Sequence, residues 1–316
     1  MTNAGTPPDG DRLVQIDGSL DLGLTLGVHR RGRGDPSMRA EVSGTTWRAT
    51  RTPDGPVTLL VEARDGAVRA RAWGPGSAWA LGRIEALLGL DDDPAALVPQ
   101  HRAVAAAVRR TRGMRIGRTG AVLEALIPAI LEQKVTGDEA RRTLRAMVAR
   151  YGDDAPGGFG LRLPPSATLL AGLPYHAFHP LGLERRRAEL VRAVAREAPR
   201  LERLGETAAG PGADEAARAA AYAALRSFPG IGPWTAAEVG LRAFGDPDAV
   251  SIGDFHIPNM VAWALAGEPR GSDERMLELL APYRGQRGRV IRALELAGPS
   301  APRYGPRLAS RRISGL

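Results

Sequence analysis

Side chains that could act as nucleophiles or soft metal ligands are scarce in this sequence. The 316 residues include no cysteine and only five histidines, and Lys134 is the single lysine, so 42 of the 43 basic residues are arginine. Without cysteine there can be no disulfide, thiolate iron–sulfur cluster, cysteine-ligated zinc site or cysteine nucleophile. Any mechanism through a lysine Schiff base has one side-chain candidate besides the terminal amine.

A glycine-rich turn between two predicted helices is the most informative motif. From Leu225 the chain reads Leu-Arg-Ser-Phe-Pro-Gly-Ile-Gly-Pro-Trp-Thr-Ala-Ala-Glu-Val-Gly-Leu. Gly230 and Gly232 lack the Cβ atoms that would block a close backbone approach, and Pro233 suits the first position of a helix. Such a turn exposes N–H groups that can bind a phosphate without reading sequence. The spacing is equally compatible with a structural connector.

The charge of the chain indicates an anionic partner. There are 43 basic and 35 acidic side chains, giving a net charge of +8, and two runs contain no acid, His101–Arg118 and Arg303–Arg312. Arginine makes permanently charged, bidentate phosphate contacts, so both runs favour nucleic acid. The alternatives are a GC-rich genome and ordinary solvated faces or tails.

The residue pattern that indicates secondary structure changes from strand-like to helical after Pro94. Between Leu20 and Ala72, short alternating segments separated by Asp-Gly turns predict an antiparallel meander, including a strand at Leu22–Leu26. A helix over residues 77–88 is expected to pack on this sheet. The later pattern is helical, over residues 121–133, 138–151, 183–200 and 214–227. Thr136 and Glu139 fit a capping box at the start of the second of these helices. The fold class predicted is α+β, an N-terminal antiparallel sheet followed by two all-α lobes.

Taken with the loop that follows it, the glycine turn resembles the helix-hairpin-helix DNA glycosylase superfamily. The loop reads Val-Ser-Ile-Gly-Asp-Phe-His-Ile-Pro-Asn from Val250, and it places Asp254 twenty positions after Trp234. The segment from Ile127, Ile-Pro-Ala-Ile-Leu-Glu-Gln-Lys-Val-Thr, looks like the DNA-facing segment of the 3-methyladenine DNA glycosylase II type. With the β-rich N-terminal part, the resemblance covers most of residues 20–298 and implies a three-part architecture.

The resemblance implies that Asp254 is the catalytic carboxylate. Loss of a base from deoxyribose develops positive charge on the sugar, which a fixed carboxylate stabilises while it orients or deprotonates a water. The alternative is a helix N-cap, for which aspartate is a preferred residue, and both roles can hold together.

The resemblance also implies a base pocket around Trp234 and Phe255, on which an extruded base could stack. Either aromatic could instead be ordinary core. Two residues depart from the family pattern. Glu238 stands where the resemblance has Tyr, and Glu295 falls near the position of the family's other pocket Trp. Glu238 could attract a cationic purine, accept from an exocyclic amine, or be a solvated surface acid.

Contacts to DNA are implied at two places. Gln133 and Lys134 would fill the stack that the base leaves, or Lys134 would bind a phosphate. The hairpin residues expected to contact the backbone are Gly230, Ile231, Gly232 and Thr235. No cofactor is required, although the resemblance implies a monovalent cation on the backbone carbonyls of Arg226, Phe228 and Ile231.

Trp234 decides the expected reaction subtype. Bifunctional relatives carry their nucleophilic lysine at this position, so the resemblance implies a monofunctional enzyme that leaves the abasic site uncut. We therefore predict a base-excision-repair glycosylase for alkylated purines of the 3-methyladenine type. The alternatives are a non-catalytic DNA-binding or damage-sensing protein and a glycosylase for oxidised or deaminated bases.

The expected partners and location follow from the predicted glycosylase function. The partners would be double-stranded DNA and a downstream abasic-site endonuclease that acts sequentially. The start of the chain is polar and no stretch is apolar for about 20 residues, so we expect no membrane contact and a cytoplasmic, nucleoid-associated monomer.

The expected domains are a disordered tail (1–17), a β-rich domain (18–98), a helical domain with the first part of the hairpin (99–233), a C-terminal helical lobe with the catalytic loop (234–298) and a basic tail (299–316).

Overall fold

The computed structural model describes residues 6–42, 44–210 and 212–299. The expected basic tail therefore lies outside the described residues from position 300 onward, as does the second acid-free run. Five strands form one antiparallel sheet in the order β1-β5-β4-β3-β2. Their bounds are β1 Gly10–Gln15, β2 Met38–Ala40, β3 Thr46–Thr52, β4 Gly55–Arg64 and β5 Ala67–Trp73.

Short helices cover one face of this sheet. They are α1 Leu22–Leu26, α2 Ser77–Gly82 and α3 Ile84–Leu88. Alternate residues of β4, Val57, Leu59 and Val61, are buried against them, as the period of two in a half-buried strand requires. The predicted α+β class with an N-terminal antiparallel sheet is confirmed.

Two predictions for this region were wrong. Residues 10–15, placed in a disordered tail, form the edge strand β1, which pairs with β5 along its whole length and buries Val14. The expected strand over residues 22–26 is the helix α1, capped by Asp21, whose side chain accepts from Leu24 N at 2.9 Å. The buried Leu22 and Leu26 lie on one face at a spacing of four, which suits a helix as well as alternation suits a strand.

The remaining helices form two packed groups. Their bounds are α4 Arg102–Arg110, α5 Val122–Leu131, α6 Gly137–Tyr151, α7 Ala167–Gly172, α8 Arg185–Arg196, α9 Ala198–Ala209, α10 Glu215–Arg226, α11 Pro233–Val239, α12 Ile257–Ala266, α13 Asp273–Leu280 and α14 Arg287–Ala297. The predicted capping box is present at the start of α6. The helix expected over residues 183–200 is two helices, because Pro199 begins a new one in the first turn of α9.

The packing differs from the expected domain boundaries. α11 and the π-helical turn Gly240–Phe244 share the central core with α5, through Val239, Phe244 and Leu126. α4 packs instead in the C-terminal core, where Val104 lies with Val261 and other residues of α12 to α14. The chain therefore contributes α4 to the C-terminal lobe before it enters the central lobe. Within the described residues, no helix is both long and apolar enough to cross a membrane.

Candidate active site

The glycine turn joins α10 to α11 and faces outward through its backbone. Gly230 has φ +102°, and a Cβ atom there would lie 3.2 Å from Leu190. Gly232 is the N-cap of α11, and a Cβ atom there would meet nothing within 4 Å. The first glycine is required by its backbone conformation, whereas the space beside the second is open to a ligand.

Two hairpin residues expected at the DNA surface have buried side chains. Ile231 is 5% exposed and belongs to the central core, and Thr235 is 2% exposed. The N–H of Ile231 donates to the carbonyl of Phe228 at 3.0 Å. These side chains therefore hold the hairpin from within, and any contact of this turn with DNA would involve its backbone and its glycines.

Gln133 ties the end of α5 to the hairpin. Its Nε2 donates to the Gly230 carbonyl and to Thr235 Oγ1, both at 2.9 Å. Because its amide is engaged in this way, the side chain of Gln133 holds the end of α5 to the hairpin and is not free to enter a base stack. Lys134 is the exposed residue of the pair, and its φ of +56° is in the left-handed region. For a residue other than glycine this costs about 1–2 kcal/mol, and such strain is concentrated at functional sites.

Asp254 lies three residues before the start of α12 and accepts three hydrogen bonds. Its Oδ1 accepts from the N–H groups of His256 at 2.7 Å and Ile257 at 2.9 Å, and its Oδ2 accepts from Trp234 Nε1 at 2.9 Å. All three donors stabilise a negative charge, and the start of α12 adds its dipole. The carboxylate is therefore fixed beside an aromatic ring and bonds to two N–H groups at the entry to α12, whereas the N-cap position itself is His256.

The two aromatics expected around a flipped base have different surroundings. Trp234, in the first turn of α11, is partly buried with its indole bonded to Asp254. Phe255 is 74% exposed and meets the ring of His256 edge-on, with centroids 4.9 Å apart. Phe255 is therefore presented at the surface next to the carboxylate and is not ordinary core.

Glu238 is neither solvated nor free. Its side chain is 13% exposed, Oε1 accepts from Ser251 Oγ at 2.8 Å, and Oε2 accepts from Arg242 Nη1 at 2.6 Å. Burial by itself would raise the pKa of Glu238, but the charges of Arg242 and Arg31 and the bond from Ser251 outweigh it and lower this pKa. The alternative of a surface acid is thus wrong.

Glu295 lies close enough to interact electrostatically with Glu238. It pairs with Arg292 at 3.3 Å, and its side chain is 37% exposed. Desolvation raises the pKa of Glu295 against the opposing charge of Arg292, and the negative charge of Glu238 raises it further. Charged groups therefore stand in this region, where the family resemblance implied aromatics.

Sequence reasoning missed the partners of these acids. Arg242 is 14% exposed, and its Nε donates to the Val28 carbonyl at 3.0 Å, which links the π-helical turn after α11 to the N-terminal domain. Arg31 pairs with Glu132 at 3.2 Å, next to Gln133. The i, i+4 spacing of Glu238 and Arg242 was a usable signal, whereas nothing local marks Ser251 or Val28.

The basic run over residues 101–118 is not a uniform surface for DNA. Arg115 donates to the carbonyls of Asp17 at 2.6 Å and Ser19 at 3.3 Å. Arg118 donates to the Ala209 carbonyl at 2.6 Å and pairs with Asp91. These two arginines join separate chain segments, while the exposed members of the run are Arg102, Arg109, Arg110 and Arg112.

The expected cation site at the hairpin remains a prediction. It consists of backbone carbonyls of Arg226, Phe228 and Ile231, and the Phe228 carbonyl already accepts one hydrogen bond, from Ile231. A carbonyl has two lone pairs, so this bond leaves the Phe228 oxygen able to contact an ion.

Comparison with known proteins finds similarity in sequence and in fold. No protein-family model matches the sequence. A probable bifunctional transcriptional activator/DNA repair enzyme AlkA of Mycobacterium tuberculosis is 33% identical over 186 residues, which are 56% of this chain and 34% of that protein. The match thus spans about a third of the length of the relative.

Solved structures share the fold over nearly the whole chain. The 3-methyladenine DNA-glycosylase of Archaeoglobus fulgidus has a TM-score of 0.72 at 21% identity, covering 90% of this chain and 97% of that one. The 8-oxoguanine glycosylase/lyase of Clostridium acetobutylicum, in complex with double-stranded DNA, has a TM-score of 0.67 at 12% identity, covering 92% and 96%. The same architecture therefore occurs in proteins named for different bases.

Proposed function

We propose that this chain, a homologue of the AlkA-like members of the helix-hairpin-helix DNA glycosylase superfamily, is a monofunctional glycosylase for alkylated purines. The observation that carries the proposal is the carboxylate of Asp254, held by three N–H donors beside Trp234. The name of the Archaeoglobus protein supports the same reaction and the 3-methyladenine class of substrate, and the name of the Mycobacterium protein supports a role in DNA repair.

Asp254 would act on the sugar of the flipped nucleotide. When the C1′–N bond breaks, its electron pair leaves with the base and positive charge develops on the sugar. The carboxylate stabilises this charge and orients the water whose oxygen then bonds to C1′, with the water proton passing to the carboxylate or to solvent. An alkyl group on N3 or N7 makes the purine cationic, so that it leaves without being protonated first.

Double-stranded DNA would be bound along the hairpin and the α5–α6 corner. The open backbone at Gly232 suits a phosphate, and Lys134 projects from the corner that Gln133 holds against the hairpin. An ion on the hairpin carbonyls would strengthen the phosphate contact, and no other cofactor is required. Binding that depends on phosphate contacts weakens steeply with salt.

The abasic product would remain uncut. Trp234 occupies the position where strand-cleaving relatives have a lysine and cannot form a Schiff base, and Lys134 is the only lysine in the chain. The product therefore requires a separate abasic-site endonuclease.

A second candidate function keeps the fold and changes the base. The shared fold with an 8-oxoguanine enzyme favours an oxidised or deaminated substrate. A non-catalytic damage sensor is the third candidate, because the charged groups Glu238 and Glu295 stand where the resemblance implied pocket aromatics.

A lesion panel separates these functions. Duplexes carrying alkylated purines, 8-oxoguanine or hypoxanthine are incubated with the protein, freed bases are identified by mass spectrometry, and strands are analysed before and after alkali. We expect free 3-methyladenine and strand breaks only after alkali. Breaks without alkali contradict the monofunctional proposal, release of another base class alone supports the second candidate, and no release from any duplex supports the third.

A further inference from the structure

The loop that carries Asp254 is held at a buried residue. Ser251 is 7% exposed and donates through Oγ to Glu238 Oε1 at 2.8 Å. On its other side the loop is held through Gly253 N, which donates to the carboxylate of Asp273 at 3.0 and 3.1 Å.

Helix α11 contacts this loop at two points. Trp234 reaches Asp254, and Glu238, four residues later, reaches Ser251. Residues four apart lie on one face of a helix and about one turn, or 5.4 Å, apart along it. Two contacts at that separation restrict both the position and the rotation of the loop, whereas one contact would leave the rotation free.

Glu238 is itself fixed from behind by Arg242. Nη1 of Arg242 donates to Oε2 of Glu238 at 2.6 Å and to its carbonyl at 3.0 Å, and Nε donates to the carbonyl of Val28 at 3.0 Å. Both side chains are less than 15% exposed. An unbroken series of bonds therefore leads from the N-terminal domain through Arg242, Glu238 and Ser251 to the catalytic loop.

We propose that this series, the Arg242–Glu238–Ser251 brace, positions the carboxylate of Asp254 for base release and makes the N-terminal domain a part of the site. The inference rests on the proposed function and assigns Glu238 as a positioning residue. Glu238 uses both carboxylate oxygens within the protein, which favours positioning over recognition of the base. A displacement of about 1 Å in a catalytic group can cost about 100-fold in rate.

The test removes one bond of the brace at a time. Ser251→Ala removes the donor to Glu238, Ser251→Thr keeps a hydroxyl, and Glu238→Gln removes the charge that pairs with Arg242. Glu278→Gln is the matched control, because Glu278 forms a surface pair with Arg275 and is 69% exposed. For each protein the single-turnover rate of base release, the Kd for DNA and the thermal midpoint are measured.

We expect Ser251→Ala and Glu238→Gln to lower the single-turnover rate at least tenfold with less than a twofold change in Kd. Ser251→Thr should recover most of the rate, and Glu278→Gln should leave it unchanged. Unchanged rates in both brace variants overturn the proposal. So does a parallel loss of rate, affinity and thermal stability that Ser251→Thr does not reverse, because that result indicates a merely structural role.

A second measurement does not depend on activity. The indole N–H resonance of Trp234, identified by its loss in Trp234→Phe, reports the bond to Asp254. We expect it to shift in Ser251→Ala and Glu238→Gln but not in Glu278→Gln, and an unmoved resonance in both overturns the proposal. If the wild type frees no base, the proposed function fails while this resonance still decides whether the brace positions Asp254.

Discussion

Asp254→Asn separates the two roles of this side chain. The amide oxygen of asparagine can still accept from the N–H groups of His256 and Ile257, because asparagine and aspartate both form such local bonds to backbone N–H groups. Its NH2 group then faces the indole N–H of Trp234, so the hydrogen bond that is 2.9 Å long in the wild type is lost. The substitution removes the negative charge at little cost to the fold.

The magnitudes for the two roles differ widely. The lost bond should lower the free energy of unfolding by about 1–2 kcal/mol. Removing a group that stabilises charge in the transition state typically costs about 100- to 1,000-fold in rate, which is about 3–4 kcal/mol. The rate of base release should therefore collapse in a protein that remains folded at 25 °C.

Single-turnover base release, DNA affinity and urea denaturation test this reasoning on the same preparations. The matched control is Asp214→Asn, because Asp214 likewise accepts from a backbone N–H at the start of a helix, that of Ala217 at 2.8 Å, at the far end of α10 from the hairpin. It should lose little stability and no activity. The catalytic role of Asp254 is refuted if Asp254→Asn releases base at the wild-type rate, and the small structural cost assigned to the substitution is refuted if that variant unfolds.

Three further predictions concern Phe255, Lys134 and Glu202. Phe255→Ala should weaken lesion-DNA binding several-fold and leave stability within about 0.5 kcal/mol, because the ring is 74% exposed; a fall in the urea midpoint without a change in Kd would contradict this. Lys134→Gly should relieve the left-handed backbone and raise the free energy of unfolding by about 1 kcal/mol, and it should reduce the slope of log Kd against log salt by about 1; Lys134→Ala should change the salt slope alone. Glu202 accepts from Val122 N and Leu123 N, and desolvation raises its pKa to about 7 from 4.5. The folded state therefore favours the protonated acid, so this group's contribution to stability is full below about pH 4.5 and is lost as pH rises through 7. Glu202→Gln should accordingly be more stable than wild type at pH 8, by about 1–3 kcal/mol, with the difference vanishing near pH 4.5; a constant difference across urea titrations from pH 4.5 to 8 would disprove the raised pKa.

Local patterns in the sequence determined a large part of the fold. The capping box of Thr136 and Glu139 requires only neighbouring residues, and it is present at the start of α6. The meander through β3 to β5 follows from short alternating segments and tight turns, which are equally local. The absence of cysteine and the single lysine limited the chemistry without any structure, because no tertiary contact can supply a missing side chain.

The tertiary structure decided which groups meet. The amide of Gln133 lies against the hairpin, and Glu238 is paired with Arg242 and Ser251. The packing of α4 in the C-terminal core was equally invisible in the sequence. Such contacts join segments that are far apart in the chain and depend on which faces of the helices pack together, whereas periodicity shows only that a face is apolar. The sequence alone therefore pointed to Asp254 as the candidate carboxylate, and only the structure showed what holds it.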